Sequence, residues 1–158
     1  MTSHPLPLAA LAERVTEDDG CLPNGCARSV DSAGWSAFLA DLRARGWPVT
    51  WDGEPIADWP ETAEDVGRED CPALQVRPSD SVRIRVFPSW GTDSIWFDFD
   101  VREMKRQQDA DSLFAFVQMV GQAAQRVVDL SYEGFDEMVF ARYDPAEDTM
   151  LWLGERRG

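Results

Sequence analysis

The residue types that most often carry out catalysis are scarce in this sequence. Its single histidine is His4, in a terminus that we expect to be mobile. Nucleophilic catalysis of the Ser-His-Asp or Cys-His type needs an imidazole within hydrogen-bond reach of the nucleophile. A glycine-rich phosphate loop, a Gly-x-Ser-x-Gly elbow and a His-Glu-x-x-His helix are also missing from the sequence. The sequence therefore predicts no catalytic residue and no cofactor.

A zinc site can be drawn from Cys21, Cys26, Cys71 and His4. The spacing of the first two cysteines is at the loose end for zinc ligands, however, and Cys71 has no second ligand nearby. We interpret the three cysteines as reduced thiols in loops, because an odd number without an export signal is typical of a cytosolic protein. We predict no metal site and a cytoplasmic location.

Asp98 and Asp100 alternate along a predicted strand, and Glu103 follows them. Alternate strand residues share a face, so these carboxylates could form a metal site of a small metal-dependent enzyme. The competing interpretation is a cross-strand ladder of charges. If a hairpin places Val86 opposite Ile95, Arg83 lies opposite Asp98 and Arg85 lies diagonal to it. We favour the ladder and keep the enzyme as the alternative function.

The segment 52–70 combines many carboxylates with nearby tryptophans. Tryptophan is a favoured anchor of protein interfaces, and acidic side chains at an interface rim select basic partners. The competing interpretation is a solvated acidic loop whose tryptophans pack back over the core. Another tryptophan, Trp96, points away from the predicted core and is covered either by a second element or by a partner. The predicted partner-binding residues are Trp51, Asp58, Trp59, Glu61, Glu64, Asp65, Glu69, Asp70 and Trp96.

Two main helices are predicted from apolar residues at helical spacing. The first begins at the capping residue Asp31 or Ser32 and ends at Gly46. Its apolar face is formed by Trp35, Phe38, Leu39 and Leu42. The second helix is capped by Asp109 or Asp111 and extends to Asp129, with Gly121 on its buried stripe indicating close packing against a sheet. That stripe is Leu113, Phe116, Val117, Val120, Ala124, Val127 and Val128.

Apolar and polar residues alternate between Leu74 and Val101, which predicts a three-stranded antiparallel meander. A C-terminal hairpin is predicted from strands at 138–143 and 150–153, and Asp52-Gly53 indicates a tight turn that is followed by an arm weakened by Pro55. The fold class is therefore α+β, an antiparallel sheet with two main helices on one face. We predict one domain over residues 1–158, with a glycine- and proline-rich loop over 19–26 and with residues 1–30 partly mobile.

The formal charge of -14 limits the kinds of partner. It repels nucleic-acid phosphates and anionic lipid surfaces, so we expect neither nucleic-acid nor membrane binding. Residues 31–72 carry ten acidic and three basic side chains, whereas residues 73–106 carry five and six. The acidity is thus concentrated outside the predicted meander, where it either keeps the chain in solution or attracts a basic partner.

The run Ile95-Trp-Phe-Asp-Phe-Asp100, the helix 111–129 and the run Ala141-Arg-Tyr-Asp-Pro145 resemble small acidic proteins of actinobacterial genomes, some of which resemble immunity proteins of polymorphic toxin systems. The resemblance implies a cytosolic inhibitor that binds a toxin domain without catalysis or a cofactor. Our first hypothesis is a non-enzymatic domain that occludes such a basic protein. The other two are the metal-dependent enzyme and a homodimer that hides Trp96 in its interface.

Overall fold

The computed structural model describes residues 5–15, 22–67, 73–88, 91–132 and 135–153. Within these ranges the fold is α+β, with nine strands in one sheet in the order β3-β2-β4-β5-β6-β1-β7-β8-β9. Every pairing between these strands is antiparallel. The strands are β1 (Asn24–Arg28), β2 (Val49–Trp51), β3 (Glu54–Pro55), β4 (Leu74–Ser79), β5 (Val82–Val86), β6 (Ser94–Phe99), β7 (Val128–Tyr132), β8 (Phe135–Asp144) and β9 (Thr149–Trp152).

Four α-helices accompany the sheet in the described part of the chain. They are α1 (Leu8–Val15), α2 (Ser32–Arg45), α3 (Ala63–Val66) and α4 (Gln107–Ala124), and a short 3₁₀ helix covers Val101–Glu103. Helix α4 lies across one face of the sheet, in contact with β1, β4, β5, β7 and β8, and α2 packs along α4. Phe116 of α4 lies at the centre of this packing, with ring centroids 5.0 Å from Phe97 of β6 and 6.1 Å from Phe38 of α2.

The limits of α2 follow from its capping residues, as predicted. The carboxylate of Asp31 accepts a hydrogen bond from the Gly34 N–H at 2.8 Å, and Gly46 ends the helix in the left-handed conformation that glycine adopts most easily. The four predicted apolar residues of its face are all buried. The Trp35 indole N–H donates to the Thr92 carbonyl at 2.8 Å, which ties α2 to the loop before β6.

The predicted meander is confirmed as β4-β5-β6. Its predicted inner face is buried in full, at Leu74, Val76, Val82, Ile84, Val86, Ile95, Phe97, Phe99 and Val101. The predicted two-residue turn is also present, since Trp51 pairs with Glu54 across Asp52 and Gly53. Both turn residues have positive φ, at 51° and 95°, as a tight hairpin requires, and the strand containing Pro55 is only two residues long.

The predicted sheet was too small, and its largest omission is β1. The prediction assigned residues 19–26 to a loop, whereas Asn24–Arg28 forms a strand between β6 and β7. A Pro-Asn-Gly sequence normally indicates a turn, and β1 has none of the large or β-branched residues that favour strands. The ring of Phe97 packs over Gly25, where a side chain would collide with it, so this position of the strand requires glycine. The local pattern does not reveal such a contact between distant residues.

The second main helix is shorter than predicted and is followed by a strand. Helix α4 ends at Ala124, and Gln125 takes up the left-handed conformation with φ of 54°. The prediction places Val127 and Val128 on the buried helical stripe. Val127 instead precedes β7, and Val128 is its first residue. The close approach predicted at Gly121 is confirmed, because a Cβ there would lie 2.6 Å from the ring of Tyr143 in β8. None of the helices in the described ranges combines the length and apolarity needed to cross a membrane.

Candidate functional site

Exposed carboxylates are grouped on the β2-β3 hairpin, on the segment that follows it and on α3. We call Asp52, Glu54, Asp58, Glu61, Glu64 and Asp65 the acidic surface; all six are exposed. No lysine or arginine occurs between residues 46 and 67. Asp52 and Glu54 belong to the hairpin of the terminal strand β3, whereas Glu64 and Asp65 belong to α3, which packs against α2. This part of the chain therefore concentrates negative charge.

Apolar and polar anchors hold the acidic surface against the body of the protein. Trp59 donates its indole N–H to the Leu39 carbonyl of α2 at 3.1 Å and packs against the core. Ala63 and Val66 of α3 are buried. Helix α3 is also fixed at its start by a capping box, in which Thr62 accepts from the Asp65 N–H while the Asp65 carboxylate accepts from the Thr62 N–H. The carboxylates thus stand on an ordered support.

The predicted partner-binding residues fall into three groups. Asp58, Glu61, Glu64 and Asp65 are exposed together on the acidic surface. Trp51 and Trp59 are half-buried and pack against the core, as the competing interpretation held for these two side chains. Glu69 and Asp70 lie outside the described residues.

Trp96 is not part of the acidic surface. It lies in β6, four strands from β3, a separation of about 19 Å at the usual spacing of strands. Its ring is half-buried and is covered in part by the guanidinium of Arg28, which lies 5.3 Å from the ring centroid. The neighbouring strand β1 therefore covers part of Trp96, which is one of the two possibilities predicted from the sequence.

The charge ladder on β5 and β6 is present, but the predicted register is wrong by two residues. Val86 pairs with Phe97, so Arg85, and not Arg83, lies opposite Asp98. Two hydrogen bonds of 2.6 and 3.1 Å join these side chains, and Asp98 is only 6% exposed. The predicted hairpin between β5 and β6 does form, and its loop is bonded to α2 and to Val30. Its Asp93 carbonyl accepts from the Val30 N–H, and its Thr92 carbonyl accepts from Trp35.

Of the three carboxylates that could form the alternative metal site, two are paired with arginines. Asp98 is held by Arg85, and Asp100 caps the 3₁₀ helix and forms an ion pair with Arg102 at 2.9 Å. The hydrogen bond from Arg102 lowers the pKa of Asp100. One oxygen of Glu103 is buried without a partner among the described residues. Within these same ranges, no group of three or more His, Cys, Asp or Glu side chains is placed to hold a metal ion.

The zinc alternative can be followed only in part. Cys26 is buried in β1, not in a loop, while Cys21, Cys71 and His4 lie outside the described residues.

A polar network that the sequence did not indicate joins α4 to the turn between β8 and β9. The Tyr143 hydroxyl donates to Asp148 at 2.7 Å, and Gln118 donates to the same carboxylate oxygen, also at 2.7 Å. Gln122 in turn donates to the Tyr143 hydroxyl at 3.1 Å. Burial of the phenol, reinforced by the hydrogen bond to Asp148, raises the pKa of Tyr143 to about 12.

We expect a spectrophotometric titration to resolve Tyr143 as a phenol with a pKa of about 12. Because this pKa exceeds the ordinary value near 10, the network's contribution to stability is complete below about pH 10 and is lost as pH rises through the folded pKa. Asp148→Asn should lower the pKa, since it removes the carboxylate that disfavours the phenolate. Tyr143→Phe should remove this titration from the spectrum, which assigns it to Tyr143. Circular dichroism at each pH checks that the chain stays folded. An unchanged titration in Asp148→Asn would contradict the assignment.

The sequence matches no protein-family model, no curated protein and no solved structure.

Proposed function

We propose that this protein is a non-enzymatic protein-binding domain that uses the acidic surface to engage a basic partner. The observation that carries the proposal is the exposure of six carboxylates on the β2-β3 hairpin, the segment after it and α3, with no lysine or arginine between residues 46 and 67. Such a field accelerates encounter with a cationic surface and rejects acidic competitors. The ordered support from α2 and α3 keeps the carboxylates in fixed relative positions, which reduces the entropy lost on binding.

The most concrete form of the proposal is an immunity-type inhibitor that occludes a basic toxin domain. This form rests on the resemblance of the sequence to small acidic immunity-type proteins and on the charge of the surface. An inhibitor of this kind acts by covering the partner's substrate-binding surface, so it needs complementary charge and shape and no reactive group. The half-buried Trp51 and Trp59 lie within or beside the acidic segment and would supply apolar contact area near the rim of carboxylates.

A neighbouring gene that encodes a large secreted protein with a basic C-terminal domain would provide the partner to test. We expect co-expression of this chain to restore growth of cells that express the isolated basic domain, and the two purified proteins to form a complex. Failure of both tests for every such neighbour would contradict the inhibitor form of the proposal.

Neutralising the acidic surface should slow association with that basic domain. For the triple variant Asp58→Asn, Glu61→Gln, Glu64→Gln we expect the association rate constant to fall by about tenfold at low salt. The difference should shrink as salt screens the charges. Stopped-flow fluorescence at several salt concentrations measures this. Asp65 is left intact because it caps α3.

The matched control removes the same charge elsewhere. Asp80, Asp93 and Glu147 are exposed and lie outside the acidic surface. The variant Asp80→Asn, Asp93→Asn, Glu147→Gln should retain most of the association rate. Equal slowing by the two triple variants would mean that net charge, and not this surface, steers the partner.

A further inference from the structure

A cleft of about 690 Å³ opens far from the acidic surface, where β1 ends, β7 begins and β8 enters its turn toward β9. Three arginines line it, Arg28, Arg126 and Arg142, together with the carboxylates of Asp129 and Asp144. Three guanidinium groups against two carboxylates leave an excess of one positive charge, on a chain whose formal charge is -14. The lining of the cleft therefore differs in charge from the acidic surface.

Two of these arginines have N–H donors that no described residue accepts. A guanidinium has five N–H donors. Arg126 uses Nε on the Ser29 carbonyl at 3.0 Å and Nη1 on the Gln125 carbonyl at 3.4 Å, and Arg142 uses Nε on Asp129 at 2.6 Å. The remaining donors of both have no partner among the described residues. An anion in the cleft could accept charge-assisted hydrogen bonds from these donors in place of water.

The backbone around the cleft is held in an unusual conformation. Ser29 and Gln125 both line the cleft and both have positive φ, 57° and 54°, without being glycine. In Gln125 this conformation ends α4, and in Ser29 it follows the end of β1, so both residues direct the chain where the cleft forms. The bond from Arg126 to Ser29 joins the end of α4 to the end of β1, and the ion pair with Asp129 fixes Arg142. The two guanidinium groups are thus positioned before any ligand arrives.

The remaining wall of the cleft is partly apolar. Val127, which is 39% exposed, lines the cleft, as do Pro145 and Ala146 of the β8-β9 turn. A volume of about 690 Å³ is in the range of small-molecule sites. We propose that this cleft binds a small anionic molecule, a phosphate or carboxylate group attached to a compact apolar body. The anionic group meets Arg126 and Arg142, and the apolar body lies against Val127.

Isothermal titration calorimetry of the full chain with phenyl phosphate, benzoate and inorganic phosphate tests this proposal. We expect saturable binding of phenyl phosphate or of benzoate, and the tighter of the two identifies the preferred anionic group. Inorganic phosphate should bind more weakly because it has no apolar body. Equal affinity for inorganic and phenyl phosphate would overturn the role given to the apolar wall, and no saturable heat with any probe would overturn the site.

Two variants connect the binding to this cleft. Arg126→Gln should weaken binding by about tenfold, because it removes a charge-assisted hydrogen bond. Val127→Asp places a negative charge on the wall without altering the bonds of Arg126, and it should abolish binding. Arg77→Gln removes an exposed arginine outside the cleft and should leave the affinity unchanged. A thermal melt of each variant confirms folding, and undiminished binding by both cleft variants would overturn the proposal.

Discussion

Replacing Asp109 by alanine is expected to lower the free energy of unfolding by about 3 kcal/mol. Asp109 is fully buried near the start of α4. One of its oxygens accepts from the N–H groups of Lys105 and Arg106 at 2.8 and 3.1 Å, and the other accepts from the Ser79 hydroxyl of β4 at 3.3 Å. Removing the carboxylate leaves these donors without their partner, and that penalty is larger than the loss of an ordinary hydrogen bond. Urea unfolding measures the change.

The same residue should contribute to the acid sensitivity of the protein. Burial alone would raise the pKa of Asp109, but the hydrogen bonds from Lys105, Arg106 and Ser79 outweigh burial and lower it. A lowered pKa means that the stabilisation is present above the ordinary aspartate value and is lost as pH falls through the folded pKa. The alanine variant should therefore lose less stability than the wild type between about pH 5 and the acid transition.

Asp65 provides the matched control for Asp109. Each carboxylate sits at the third position of its helix and accepts from the N–H of the residue before the helix. Asp65 is exposed, however, so the donors that Asp65→Ala releases can bind water. We expect a loss of about 1 kcal/mol or less. Equal losses at the two positions would show that burial is not the reason for the importance of Asp109.

The sequence predicted those parts of the fold that depend on the type and spacing of neighbouring residues. In β4, β5 and β6 every second side chain is apolar because one face of these strands packs under α4. Asp31 and Gly46 mark the ends of α2 because capping depends on the residue itself. The exposure of Asp58, Glu61, Glu64 and Asp65 was predictable for the same reason, since a charged carboxylate is costly to bury.

What the sequence did not predict depends on contacts between distant residues. Gln125 ends α4 where a glycine would have been a clear signal, and the apolar spacing continues into β7. The register of β5 and β6 depends on how Thr92 and Asp93 bond to α2 and to Val30, which no local pattern reveals.

The arginine cleft was missed for the same reason. Its arginines occupy positions 28, 126 and 142, and they meet only because β1 pairs with β7, with Ala27 opposite Val128. The sequence pattern indicates a loop and not a strand at β1, and a loop gives no reason to bring Arg28 near Arg126. The one local signal was the alternation in Val128-Asp-Leu-Ser-Tyr132, which is as typical of a strand as of the end of a helix.

The second large effect on stability is expected from a substitution at Gly25, because β1 lies in the interior of the sheet. A Cβ at this position would lie 2.0 to 2.5 Å from three ring atoms of Phe97. That ring cannot easily retreat, because Phe116 meets it edge-on with centroids 5.0 Å apart and Phe99 lies at 6.4 Å. We expect Gly25→Ala to lower the free energy of unfolding by about 3 kcal/mol, the upper part of the usual range for overpacking. Urea unfolding measures the loss.

A double-mutant cycle separates this clash from any intrinsic effect of alanine in a strand. Alanine in place of glycine restricts the unfolded chain and would by itself be mildly stabilising in an extended conformation. Phe97→Leu shortens the side chain that covers Gly25, so Gly25→Ala should cost less in that background than in the wild type. The coupling energy between the two substitutions should therefore be favourable and of the order of 1 kcal/mol or more. Additive losses would mean that Phe97 is not the reason why this strand requires glycine.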